Sequence, residues 1–253
     1  MKTKYPFKTI TKTEEQLHSW TYVFLLKYPT ILLTWLFANF TNFSPNLVSF
    51  LGLIPSFISA YFYVNGNLLF GALFYLLAWL LDGVDGRLAR VKSLGSKYGA
   101  FYDNYVGQIG FIIMIMGFFY GIARIKQNSL WLLLGILVYF LVTFRSLIAL
   151  KVKTLMGNEY RVNLDEVNVE EASIKETKGL WGLAVRLQNK LNQKGLVEPF
   201  NLIDMIVLIF IIGPIAELIL SGSLIYVIIF ALIMIIIKEI IWFLYYRKIL
   251  KDR

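Results

Sequence analysis

The chain has no cysteine and a single histidine among its 253 residues. The first absence excludes disulfide scaffolds, thiolate metal sites and cysteine nucleophiles. The second excludes a multi-histidine metal centre and leaves His18, in a polar lead-in, a poor partner for a serine triad. Charge is scarce too. Charged residues make up 16% of the chain and hydrophobic residues 58%, with a mean hydropathy of +0.65, whereas soluble domains carry about 25% charge and about 45–50% apolar residues. From Tyr28 to Leu81, 54 consecutive positions hold no Asp, Glu, Lys, Arg or His. A bilayer span takes about 20 apolar residues, so this stretch holds two spans and the turn between them. The sequence is that of one integral membrane domain over residues 1–253.

The charges that are present lean basic, 25 Lys and Arg against 16 Asp and Glu, for a net +9. Because they flank hydrophobic runs, they suit anionic membrane lipids rather than nucleic acid. Met1 to Ser19 is polar, carries Lys2, Lys4, Lys8 and Lys12, and lacks the short apolar core and cleavage site of a secretory signal, so it reads as a cytoplasmic tail.

The expected architecture is all-α, with six transmembrane helices and an N-terminal interfacial amphipathic helix. Trp20–Phe40 is apolar but interrupted by Lys27 and Pro29, with aromatics at its ends, and reads as a surface helix within a 1–45 leading region. Spans one to four, within 46–152, are Asn46–Val64, Leu68–Arg90, Lys97–Ala123 and Leu130–Val152. Spans five and six, within 200–253, are Asn201–Leu220 and Leu224–Tyr246, followed by a basic tail. Asn65-Gly66-Asn67 and Ser221-Gly222-Ser223 are turn signals. With six spans, one face receives nearly all the Lys and Arg and the other only Arg124 and Lys126, which predicts a multi-pass protein with both termini in the cytoplasm. The 153–199 segment is then a cytoplasmic loop, in which Gly179–Lys194 has the apolar spacing of a surface helix.

Three acids stand where a membrane helix resists them. Asp82 and Asp85 are three apart near the end of span two, and Asp103 lies in the first turns of span three. Each costs roughly 2.5–3.5 kcal/mol to insert, so together they imply a polar cavity, a cation, or both. Gly86 and Ala89 extend the Asp82–Asp85 face, and Gly99, Asp103 and Gly107 share a face at four-residue spacing. Buried salt bridges with small residues for packing are the plainer reading of this pattern. Hard oxygen ligands favour Mg²⁺ or Mn²⁺, which bind phosphates. Asp82 and Asp85 lie about 22–27 Å from the outer end of their helix and Arg145 about 24 Å from the outer end of its own, which predicts that Arg145 faces the same cavity and contacts phosphate or acceptor. Farther on, Asp204 and Lys238 fall at similar depth and are expected to pair.

These residues carry a resemblance. Asp82-Gly-Val-Asp85-Gly86-Arg-Leu-Ala89-Arg90, then Gly99 and Asp103, resembles the signature of the CDP-alcohol phosphotransferase family, D-x2-D-G-x2-A-R-x8-G-x3-D-x3-D. The resemblance implies transfer of a phosphoalcohol group from a CDP-alcohol to a lipid or small-alcohol hydroxyl, with CMP released. It implies that Asp82, Asp85 and Asp103 hold divalent metal, that Asp82, Gly86, Ala89, Arg90 and Gly99 form the nucleotide site, and that the site opens to the cytoplasm. A homodimer is compatible with it. At the fourth aspartate position, that of the family's general base, this chain has Gly107. A catalytically inactive homologue that binds CDP-lipid or a partner subunit is therefore the main alternative. An ion transporter is a distant one, for which inverted repeats and broken helices would be needed.

Overall fold

The computed structural model describes residues 4–13, 18–156 and 200–251, together with 190, 191, 193 and 196, and no strand occurs among them. We label the helices α1 (Phe7–Thr11), α2 (Tyr22–Phe40, whose first turn Tyr22–Leu26 is π-helical), α3 (Pro45–Val64), α4 (Leu68–Val91), α5 (Lys97–Ile125), α6 (Leu130–Met156), α7 (Leu202–Ile219) and α8 (Ser223–Lys251). The seven from α2 to α8 are each long and apolar enough to cross a membrane, the composition of an integral membrane protein. Length and composition thus admit a crossing for Tyr22–Phe40 as well as a surface position. Helix α1 was not foreseen in the sequence. The expected surface helix in Gly179–Lys194 falls largely outside the described residues.

Short polar side chains start the membrane helices. Ser44 accepts from the Leu47 N–H at 3.2 Å with Pro45 in the first turn, Asn67 accepts from Phe70 at 3.2 Å, Ser96 from Gly99 at 2.9 Å and Asn201 from Asp204 at 2.9 Å. Each satisfies an amide that the first helical turn leaves without a partner. Gly66 (φ 81°) and Gly222 (φ 89°) close the turns to α4 and α8 in the left-handed region, where other residues are strained. At the second turn Glu217 accepts from the amides of Gly222 (3.0 Å) and Leu224 (2.9 Å) and pairs with Lys126 at 2.7 Å, tying the ends of α5 and α7 to the start of α8.

Helix α3 lies between α4 and α5, packing extensively on both, whereas α4 and α5 meet each other over only a few residues. Glycine permits this. A Cβ on Gly121 would lie 2.0 Å from the Tyr63 carbonyl oxygen, one on Gly117 2.7 Å from Ala60 Cα, and one on Gly110 2.9 Å from Ser56 Oγ. The matched order along both chains makes α3 and α5 parallel. At Gly107 the close approach is interrupted, because a Cβ there would have no α3 atom within 4 Å, although nearer the start of α5 one on Gly99 would lie 3.4 Å from Asn46 Oδ1. Tyr63, wholly buried, edges against Phe118 and donates its hydroxyl to the Phe210 carbonyl in the π-helical turn of α7, which anchors α7 to the same core.

At the other end of α7, Asp204 accepts from the Thr21 N–H at 3.0 Å and the Thr21 hydroxyl at 2.7 Å. Asp204 thus links α7 to the start of α2, while Lys238, the partner expected for it, lines a small cavity with Arg145 and Glu239.

Adding a methyl where α5 touches the α3 backbone should force the helices apart. Gly121→Ala is expected to destabilise the protein by about 1–3 kcal/mol, the range of core overpacking. Gly107→Ala, with an open Cβ position, should change stability little in the same unfolding titration.

Candidate functional site

Where α3 and α5 separate, a cavity of about 380 Å³ opens among α3, α4 and α5. Its α3 wall is Ser49, Gly52, Leu53 and Ser56. Asp82 and Tyr75 come from α4, and Asp103, Asn104, Gly107 and Gln108 from α5. The α3 hydroxyls are turned back onto their own helix, Ser49 donating to the Pro45 carbonyl (3.2 Å) and Ser56 to that of Gly52 (3.1 Å). The polar character of the cavity therefore rests on the carboxylates and on the amides of Asn104 and Gln108.

Sequence reasoning placed the acids on neighbouring faces of adjacent helices; the structure has them across a cleft floored by α3. Asp82 is exposed toward the cavity and Asp103 half-buried. Asp85 is 2% exposed, and its carboxylate oxygens make no hydrogen bond of good geometry, with only the Ser49 hydroxyl and the Gly86 amide near enough to help while Asp82 and Asp103 lie within electrostatic reach. A buried carboxylate without well-placed donors is among the most unfavourable arrangements a membrane protein can hold, and a cation is the natural remedy. The donor set is all carboxylate, which suits a hard divalent ion that keeps several waters. As the side chains stand, no group of three His, Cys, Asp or Glu among the described residues is drawn together closely enough to ligate an ion. Asp85 therefore fits a metal by its orphaned oxygens, while a full protein shell is not assembled.

Gly107 sits opposite Asp82. The nearest atom to its Cβ position is Asp82 Oδ1 at 3.6 Å, an ordinary contact, so this glycine is not required for helix packing as Gly117 and Gly121 are. A longer side chain has room there. Gly86, likewise open, has the Arg90 Nη1 atom 3.6 Å from its Cβ position. Gly99 donates its amide to Ser96, and its Cβ position lies 3.4 Å from Asn46 Oδ1. Gly86, Ala89, Arg90 and Gly99 do not line the cavity; they lie at the ends of α4 and α5 beyond it.

Arg145 was expected in the same cavity, and the structure puts it elsewhere. It is 6% exposed, its Nε lies 3.4 Å from Glu239 Oε1, and its guanidinium stacks 4.7 Å above the Trp242 ring, all between α6 and α8. Its Nη1 atom is buried without a hydrogen-bond partner beside a cavity of about 20 Å³ that Lys238 also lines. The azimuth that selects the partner was not available from one sequence.

Sequence reasoning also passed over Ser49, Ser56 and Tyr75, and it gave no role to Arg87, which is 1% exposed. The seven-residue spacing of Ser49 and Ser56 in an otherwise apolar span was the signal for the first two.

Two substitutions examine these charges. Asp85→Asn removes a buried, poorly compensated anion, so it should raise the melting temperature in chelator while abolishing the further rise that Mg²⁺ gives the parent chain. Arg145→Leu strands Glu239 and should destabilise by about 3–5 kcal/mol, and joining it to Glu239→Leu should recover most of that loss. Thermal unfolding in detergent measures both.

Comparison with known proteins bears on the same region. An uncharacterized protein of Aquifex aeolicus (strain VF5) is 40% identical over 65 residues, which is 26% of this chain and 33% of that protein, so the match spans about a third of the relative's length. Residues 42–166, just under half of the chain and including all three acids and the cavity that Asp82 and Asp103 line, match the model of the CDP-alcohol phosphatidyltransferase family.

Proposed function

We propose that the protein transfers a phosphoalcohol group from a CDP-alcohol, such as CDP-diacylglycerol, to an acceptor hydroxyl with release of CMP, in phospholipid or polar-lipid synthesis. The observation that supports this reading is that Asp82 and Asp103 line one cavity, with buried Asp85 within electrostatic reach of both, inside the segment that matches the family. In the reaction the acceptor oxygen bonds to the distal phosphorus, the bond from that phosphorus to the bridging oxygen breaks, the oxygen leaves with CMP, and the hydroxyl proton passes to water. Mg²⁺ or Mn²⁺, when bound, would offset charge on the diphosphate and on departing CMP.

Asp82, Asp85 and Asp103 would hold that ion. Gly86, Ala89, Arg90 and Gly99, at the cytoplasmic ends of α4 and α5, would receive the nucleotide, with both termini on that side. Asn104 and Gln108 line the cavity and can orient an acceptor hydroxyl, but an amide takes no proton at neutral pH. Arg145 is no part of the donor pocket in this reading, because its guanidinium is engaged by Glu239 and Trp242; a phosphate or acceptor contact there would be at a separate site.

A specific observation favours a second reading. Position 107 has neither a carboxylate nor a neighbouring one in its place, only Asp82 across the gap. That arrangement suits a homologue that binds CDP-lipid without turnover. General-base help is worth roughly 10²–10⁴-fold, so loss of the base alone leaves a slowed reaction, whereas loss of a metal ligand can remove it.

A matrix of CDP-alcohol donors and hydroxyl acceptors, assayed for CMP in Mg²⁺ and Mn²⁺, separates the readings. CMP release with any pair supports the transferase. Metal-dependent CDP-ligand binding without release across the matrix supports the binding homologue, and absence of both overturns the proposal. Gly107→Asp should tighten metal binding and raise CMP release by about 10²-fold or more if a base is what is missing.

A further inference from the structure

We propose that Arg87 is a positioning residue that fastens the N-terminal segment 4–13 across the cytoplasmic end of α4, so that this segment sets the guanidinium of Arg90. This rests on the donor reading of Arg90 given above. Arg87 lies on α4 one turn before Arg90 and is 1% exposed, an extreme position for a guanidinium. Its Nη2 donates to the Tyr22 hydroxyl at 2.7 Å, and its Nη1 to the Ile10 carbonyl at 3.4 Å.

The Ile10 carbonyl is a junction. It also accepts from the Thr13 hydroxyl at 2.7 Å and the Thr13 amide at 3.2 Å. The Thr13 carbonyl in turn accepts from Arg90 Nε at 3.0 Å. A continuous chain of hydrogen bonds therefore runs from Arg87 through Ile10 and Thr13 to Arg90. Both arginines donate to carbonyls just at or beyond the C-terminal end of α1, where helical carbonyls lack partners and cations are favoured.

Two further contacts hold the segment. The Ile10 side chain is wholly buried among Ile31, Val84, Leu88 and Val91. Asn39 on α2 pairs with the Tyr5 backbone through both its atoms, Oδ1 accepting at 2.9 Å and Nδ2 donating at 3.0 Å. With Nε committed to Thr13, the plane of the Arg90 guanidinium is defined before any nucleotide arrives, which lowers the ordering cost of binding.

Because the chain has no cysteine, Ile10→Cys supplies a single thiol whose maleimide labelling rate reports release of the segment. Exposed Thr9→Cys is the control. On the Ile10→Cys background, Arg87→Lys keeps the charge but loses the fork, and should raise the labelling rate about tenfold, as loss of a hydrogen bond to a charged group does. Should Arg87→Lys not fold, Tyr22→Phe, which removes only one acceptor, carries the test with a rise of about threefold. In the same variants without the thiol, CMP affinity in Mg²⁺ should fall about threefold to tenfold, while the melting temperature of Tyr22→Phe stays near the parent's. An unchanged labelling rate shows that Arg87 does not hold the segment. A raised rate with unchanged CMP affinity shows that the segment does not set Arg90. If the parent chain binds no CMP, the donor reading falls and the coupling to Arg90 with it, and labelling still decides whether Arg87 is the fastener.

Discussion

Backbone contact between α3 and α5 is the constraint on which the rest of the molecule depends. In a lipid environment apolar side chains gain little by meeting each other, so close approach through small residues supplies much of the attraction between helices. Gly121, Gly117 and Gly110 bring α5 onto Tyr63, Ala60 and Ser56 in parallel, while α4 lies along the opposite flank of α3. The contact tightens toward Gly121 and is interrupted at Gly107, where no α3 atom lies within 4 Å of the Cβ position. The cavity is the consequence, with α3 as its floor and the acids of α4 and α5 on facing walls.

The buried charges fall into three kinds. Glu217, Asp204 and Arg87 are held by groups at helix ends, respectively the amides of Gly222 and Leu224, the amide and hydroxyl of Thr21, and the Ile10 carbonyl. Ends are where backbone groups lack intrahelical partners, so a charged side chain there answers a need that already exists. Arg145 pairs instead with Glu239 and the face of Trp242. Asp85 has neither remedy, and its two oxygens lack a hydrogen bond of good geometry beside two more carboxylates. Natural proteins retain such an arrangement where a ligand completes it.

Gly107 is distinguished from the other glycines of α5 by what surrounds it. Gly117 and Gly121 meet α3 backbone that a methyl would strike and Gly110 meets the Ser56 side chain, whereas at 107 the space faces Asp82 and is open. The position is therefore not determined by folding. Asn104 and Gln108, one on either side, leave the α5 wall polar but not charged.

Much was legible in the sequence because it is local. The helix starts at Ser44, Asn67, Ser96 and Asn201 and the turns at Gly66 and Gly222 depend on side chains within three residues of the groups they satisfy. Asp82 and Asp85 share a helical face by their spacing alone, and uncharged runs longer than a bilayer is thick mark the membrane helices. What the tertiary structure alone decided is which faces meet. That α3 separates α4 from α5, that Arg145 turns to Glu239 instead of the carboxylates, and that Ile10 is buried against α4 are contacts between residues far apart in the chain. A single sequence states the period and depth of each helix, but the rotation of one helix against another is set by packing at every contact at once, and no local pattern encodes it.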